Sequence, residues 1–145
     1  MLKSFTDAGW GGCRDTRRST AGYLFNIGSG AISWQLTRQS VVALSTYEAV
    51  FLGLTKAAKE AICLRRLLNE LNISQGKAAT IIVVTTKRPV LEPTIPFPHE
   101  AYVARGVQDL GTVELKYIPT IGQLADGFTK ALTRERFEWF RRAWH

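Results

Sequence analysis

Gly30-Ala-Ile-Ser-Trp34, then Val42-Ala-Leu-Ser-Thr46, then Glu48 and an apolar-striped run to Leu71 carry the chain from paired strands into one long helix. Within that run Val50, Leu54, Ala57, Ala61, Leu64, Leu68 and Leu71 recur at alternating steps of four and three. Such steps line one side of an α-helix, because residues three and four apart share a face. The stripe predicts a helix from Thr46 to about Leu71, packed on the chain's own sheet, since a stripe this short is marginal for a coiled coil. Ser45-x-x-Glu48 reads as a capping box in which Glu48 bonds back to the backbone of Ser45. Asn72 and Gly76 bracket the stop.

Upstream, residues 19–27 and 31–36 read as strands joined by Gly28-Ser-Gly30, a hairpin signal. Residues 2–8 form a first strand that runs into the Gly-rich turn Gly9-Trp-Gly-Gly12. Downstream, Thr80-Ile-Ile-Val-Val84 is a β-branched run suited to a buried central strand. Pro89, Pro93, Pro96 and Pro98 then break any helix, and a short one resumes at about 99–109. Val113 to Ile118 alternates as a strand, Ile121–Lys130 reads as a short helix, and Arg134 to Trp144 as an amphipathic one carrying Phe137, Phe140 and Trp144. Three strands, a helix, a strand, a weak helix, a strand and terminal helices imply a mixed α/β sheet with helices on its faces. Residues 1–145 are expected to form a single domain.

Composition narrows the function classes. Apolar content of 46% with 21% charged residues is globular rather than disordered. Charges at Lys56, Lys59, Glu60, Arg65 and Arg66 keep the long helix from being a membrane span, and the N-terminus shows no secretory signal peptide. An intracellular protein, in cytoplasm or nucleus, is expected. Cys13 and Cys63 make no disulfide framework and no metal-binding spacing. The net charge of +7 calls for a polyanionic partner or an electropositive face. Arg14, Arg17, Arg18 and Trp10, with Arg38, are the candidate nucleic-acid contacts; simple solvation of the arginines and turn packing of the indole are the plainer alternatives.

Three acids stand where chemistry would need them: Asp7 at the end of the first strand, Glu48 in the first turn of the long helix, and Asp126 in a helix near the C-terminus. Magnesium and manganese prefer oxygen ligands, and two-metal phosphodiester hydrolysis needs several carboxylates to converge. Each acid also has a structural alternative: a cap for Glu48, a turn contact for Asp7, plain exposure for Asp126. His99 and His145 are isolated, and no nucleophile triad or phosphate-cradling glycine loop is legible.

Longer motifs add a resemblance. Phe5-Thr-Asp-Ala-Gly-Trp-Gly-Gly12, Asp15-Thr-Arg-Arg-Ser-Thr-Ala-Gly-Tyr23, Gly30-Ala-Ile-Ser-Trp34 and Val42-Ala-Leu-Ser-Thr46 resemble the ribonuclease H domain of copia-type LTR retrotransposon polyproteins. So do Ala57-Ala-Lys-Glu-Ala-Ile62, Leu64-Arg-Arg-Leu-Leu68, Glu114-Leu-Lys-Tyr-Ile-Pro-Thr120 and Gln123-Leu-Ala-Asp-Gly-Phe-Thr-Lys130. The match is dense over 5–72 and 112–132 and nearly absent over 85–108. The resemblance implies a ribonuclease H-like five-stranded mixed sheet, its first three strands antiparallel, and magnesium-dependent cleavage of the RNA strand of RNA–DNA hybrids by four carboxylates. Three of these fall on Asp7, Glu48 and Asp126. The third family Asp falls on Thr85.

In the family pattern the first and third Asp hold the ion that activates water, while the first Asp, the Glu and the last Asp hold the other. Thr85 thus removes an anionic ligand from the nucleophile-activating ion, which implies a rate lower by orders of magnitude. Gly9 stands where the family has a second Asp, Cys13 where it has an acid, and Val50 where it has a second Glu. The proline cluster replaces a segment containing His and Lys. The expectation is a degenerate, stand-alone, retrotransposon-derived domain, catalytically impaired, that binds nucleic acid or a protein partner. The alternatives are an active ribonuclease H using magnesium or manganese, with Glu92, Glu100 or Asp109 standing in, and a regulatory or host-directed protein-interaction module that keeps the scaffold alone.

Overall fold

Alternation and turn chemistry build the sheet. In the computed structural model, which describes residues 2–73, 76, 78–83, 111–117, 125–129 and 131–143, strands β2 (Thr20–Ile27) and β3 (Gly30–Arg38) form an antiparallel hairpin. Gly28 closes it at φ +61°, the left-handed region that a tight hairpin turn needs and glycine enters without strain. Strand β1 (Leu2–Gly9) pairs antiparallel with β2 and parallel with β4 (Ala79–Val83), and β4 pairs parallel with β5 (Val113–Tyr117). The sheet runs β3-β2-β1-β4-β5. It is the mixed, five-stranded sheet with three antiparallel strands first that the sequence implied.

Helix α1 (Thr46–Glu70) packs across β1, β2 and β4. Its buried side is mostly small, Ala49, Gly53, Ala57, Ala58 and Ala61, with Val50, Phe51 and Leu54 between them. Small residues let the helix axis approach the strands: a Cβ at Gly53 would lie 3.2 Å from the Ala21 Cβ. Leu2, Phe25, Leu54 and Ile81 are fully buried at the centre of this layer. Phe25 meets Tyr23 edge-to-face at 5.5 Å between centroids. The helix ends where Asn72 takes φ +58° and the Ile73 amide returns to the Leu68 carbonyl at 2.8 Å, a left-handed stop that satisfies the last carbonyls. The expected stripe overreached here: Leu71 caps the helix and is exposed, because the chain has already turned.

Among the described residues two further helices follow, α2 (Asp126–Thr129) and α3 (Arg134–Ala143). Within the expected helix at 121–130, the described helical residues are 126–129. The expected helix at 99–109 and the whole proline cluster lie outside the described residues. On β3, Trp34 and Leu36 share one face and, like Ile32 at the strand's bulge, are exposed, while Ser33 and Thr37 turn to the other side to bond Glu60 and Lys56 of α1. Among the described residues no helix is long and apolar enough to cross a membrane.

Candidate functional site

Asp7 owes its place to the pleat of β1. Its neighbours Thr6 and Ala8 lie under α1, where a Cβ at Gly53 would sit 3.7 Å from Thr6 Oγ1 and 3.8 Å from Ala8 Cβ. Strand alternation therefore turns Asp7 to the opposite face. There it is buried, only 6% exposed, and faces Gly22 across the β1–β2 pair. Thr129 of α2 donates its hydroxyl to Asp7 Oδ2 at 2.5 Å.

Three glycines make that meeting possible. A Cβ at Gly9 would lie 3.3 Å from the Thr129 carbonyl oxygen, and one at Gly22 would lie 3.1 Å from Phe128 Cβ. On the outer side, a Cβ at Gly127 would fall 2.6 Å from Phe140 Cδ2. Phe140 of α3 stacks edge-to-face on Phe128 at 5.7 Å. The short α2 is thus held between the sheet and α3. Asp126 is its first residue, so the backbone of this acid is carried to the strand that holds Asp7. Gly9 serves here as a seat for α2.

Glu48 lies in the first turn of α1, half-buried. Ser45 caps the helix as expected, its Oγ accepting from the Glu48 amide at 3.2 Å. The return bond differs from expectation: Glu48 Oε2 accepts from the Leu44 amide at 2.6 Å rather than from Ser45. The extended backbone of Ser45 carries the preceding amide into reach, so the carboxylate ties down the approach to the helix.

The β1–β2 loop lies at the same end of the sheet. Trp10 donates Nε1–H to the Ala43 carbonyl at 3.0 Å while half its surface stays exposed, at 51%. Its turn-packing role is therefore present, and it coexists with this exposure. Gly11 donates to Ser19 Oγ, and Gln39 joins the Ser19 carbonyl through its amide and the Ala49 carbonyl through Nε2 at 2.7 Å. Loop, β3 end and α1 start are thereby one hydrogen-bonded unit. Arg14, Arg17, Arg18 and Arg38 are all exposed around it, Arg17 in the left-handed region at φ +54°. Arg38 pairs with Thr20, where the loop re-enters the sheet.

Inside this loop the Cys13 thiol is pushed down to about 7. The Thr16 hydroxyl is the main cause and the Thr16 amide the next; the Asp15 amide and the Arg38 charge add to them, and partial burial opposes. Thiolate is the reactive form. Alkylation of Cys13 by iodoacetamide is expected to rise with pH and reach half its plateau rate near pH 7, and Thr16→Val moves that midpoint upward. Peptide mass mapping across pH checks both.

Asp7, the first turn of α1 and the backbone of Asp126 all belong to the end of the sheet where β1 meets its loop. Strand β4 ends at this level too, Val83 pairing with Thr6. Thr85 and the Asp126 side chain lie outside the described residues. Among the described residues no group of three metal-ligating side chains forms. Sequence reasoning missed Thr129 and Gln39. The first had a signal, a hydroxyl three residues after Asp126 within Asp126-Gly-Phe-Thr129, but its partner is 122 residues away.

No protein-family model matches the chain. Among curated proteins it is 35% identical over 144 residues to the retrovirus-related Pol polyprotein from transposon TNT 1-94 of Nicotiana tabacum, covering 95% of this chain and 11% of that polyprotein. The Pol polyprotein from transposon RE1 of Arabidopsis thaliana is 28% identical over 146 residues, with 96% and 10% covered. The chain thus spans about a tenth of the length of these polyproteins. Secreted RxLR effector protein 161 of Plasmopara viticola is 43% identical over 63 residues, covering 43% of this chain and 44% of that one. Among solved structures, the N-terminal RNase H domain of rv2228c from Mycobacterium tuberculosis superposes with a TM-score of 0.61 at 12% identity, over 98% of this chain and 96% of that one. LC11-RNase H1, isolated from compost, gives 0.61 at 12% identity over 88% and 91%.

Proposed function

From a chain that is a ribonuclease H-like domain homologous to transposon Pol polyproteins, we infer a nucleic-acid-binding protein, impaired in cleavage, that grips an RNA–DNA hybrid at the Asp7 end of its sheet. One observation carries this reading: the exposed Arg14, Arg17, Arg18 and Arg38 and the half-exposed Trp10 surround the same sheet end as the buried Asp7. Arginine forks neutralise phosphates, and an open indole offers a face to a base or sugar.

Asp7, Glu48 and Asp126 are the oxygen donors that would hold magnesium or manganese, and their chemistry suits a hard cation. A divalent ion bound there would supply water activation and charge relief at the leaving oxygen. The chain's own contribution is to hold two of these acids in place, Asp7 through Thr129 and Glu48 through the Leu44 amide. With Thr85 neutral, the donor set has three carboxylates. Binding is retained and turnover is poor.

Fluorescence anisotropy with a labelled RNA–DNA hybrid tests the binding half. Affinity is expected to fall steeply with salt, and the triple variant Arg14→Ala/Arg17→Ala/Arg18→Ala to flatten the log K against log [salt] slope by about 2–3, one phosphate per arginine. Equal affinity and equal slope in wild type and triple variant would refute the interface. A second reading, a protein-interaction module, is favoured by the exposed Ile32, Trp34 and Leu36 of β3. It predicts a partner whose binding survives high salt and is lost in Trp34→Ser.

A further inference from the structure

We propose that Thr129 is a positioning residue, whose hydroxyl latches the α2 turn onto the Asp7 carboxylate and so fixes the backbone from which Asp126 projects. A helix of four residues does not hold itself, because nucleation costs more than so few internal hydrogen bonds return. Its place is set from outside. Most of what holds it is shape: the seats at Gly9 and Gly22 on one side, and Phe140 against Gly127 and Phe128 on the other. Shape alone lets a short turn slide or rotate along a smooth seat. The Thr129–Asp7 bond is different, since it is directional, has a charged acceptor and is screened from water by the burial of Asp7.

The seats also show that the approach is specific. Gly9 meets the carbonyl of Thr129, so the main chain and the hydroxyl of one residue are engaged together by β1. This two-point hold gives α2 one register against the strand. Within a single helical turn, a fixed Thr129 leaves the backbone of Asp126 little freedom.

The functional consequence rests on the metal-site reading above, whereas the latch itself does not. Four proteins separate them: wild type, Thr129→Val, which keeps the shape and loses the hydroxyl, Thr129→Ser, which restores it, and Asp7→Asn. Amide hydrogen exchange at residues 127–129 reports the latch, with the amides of Leu54 and Ala57 as an internal control for global folding. Manganese titration followed by electron paramagnetic resonance reports the site.

Thr129→Val is expected to speed exchange at 127–129 by about tenfold, to leave the α1 amides at wild-type rates and to weaken manganese binding by about tenfold, the scale of one charge-assisted bond. Thr129→Ser returns both to near wild type. If wild type binds manganese, Asp7→Asn abolishes it and Thr129→Val equals wild type in both measurements, the latch is overturned and the metal site stands. If Thr129→Val loosens α2 while wild type binds no manganese, the latch stands and the metal-site reading falls.

Discussion

Thr85→Asp is expected to raise cleavage of an RNA–DNA hybrid by about a hundredfold or more in saturating magnesium, an effect of about 2.7 kcal/mol on the barrier. The wild-type chain offers three carboxylates, Asp7, Glu48 and Asp126, where the resemblance to ribonuclease H domains implies four. A carboxylate at position 85 would give a bound divalent ion a fourth anionic oxygen donor and so would raise its occupancy, and with it the supply of activated water. Two controls make the result specific. Thr85→Asn adds similar bulk without charge and is expected to give no gain, and Asp7→Asn in the Thr85→Asp background abolishes the gain. A single-turnover assay with a labelled RNA strand reads all of these. Wild-type protein that already cleaves at the rate of Thr85→Asp would sink the impaired reading.

Among the described residues, Phe25→Ala is the largest stability loss expected from a single substitution. Phe25 lies in β2, is fully buried, packs edge-to-face on Tyr23 and belongs to the layer between sheet and α1. Truncating a buried phenylalanine costs about 3–5 kcal/mol, transfer and cavity terms together. The cavity cannot collapse easily, since β2 is held on both sides by β1 and β3 and its register is fixed. Against a typical total of about 5–15 kcal/mol, this approaches loss of the fold at body temperature. Urea unfolding is expected to show the midpoint falling accordingly. Phe137→Ala, at a ring that is 53% exposed, serves as the contrast and shifts stability by about 0.5 kcal/mol or less.

What was legible beforehand followed from short-range signals. Steps of four and three along α1, the glycine turn before β3 and the β-branched run of β4 are each written within one element, and each formed within about a residue of where it was read, with Leu71 left outside the stripe. Long-range geometry was not written there. Nothing local to Gly9, Gly22 or Gly127 announces that each is a seat for α2 or α3, because the atom that needs the space comes from a distant segment. The same holds for Thr129, whose acceptor lies on the first strand, and for Gln39, which joins the β1–β2 loop and the end of β3 to α1. Glu48 was placed correctly in the first turn, yet its acceptor role was assigned one residue too late. A pattern gives the spacing of a cap, whereas the backbone angle at Ser45 decides which amide is in reach.

The outermost position of β3 in the sheet bears on how the protein behaves in the test tube. Along an edge strand the outer row of backbone groups can pair with another molecule's strand, and the exposed Ile32, Trp34 and Leu36 add apolar surface beside it. Mutual repulsion between molecules carrying +7 each opposes that encounter. Such repulsion reaches about 30 Å at 0.01 M ionic strength and only about 3 Å at 1 M. Concentrated brine, the usual way to strip nucleic acid from a basic protein, therefore also removes the barrier that keeps a preparation monodisperse.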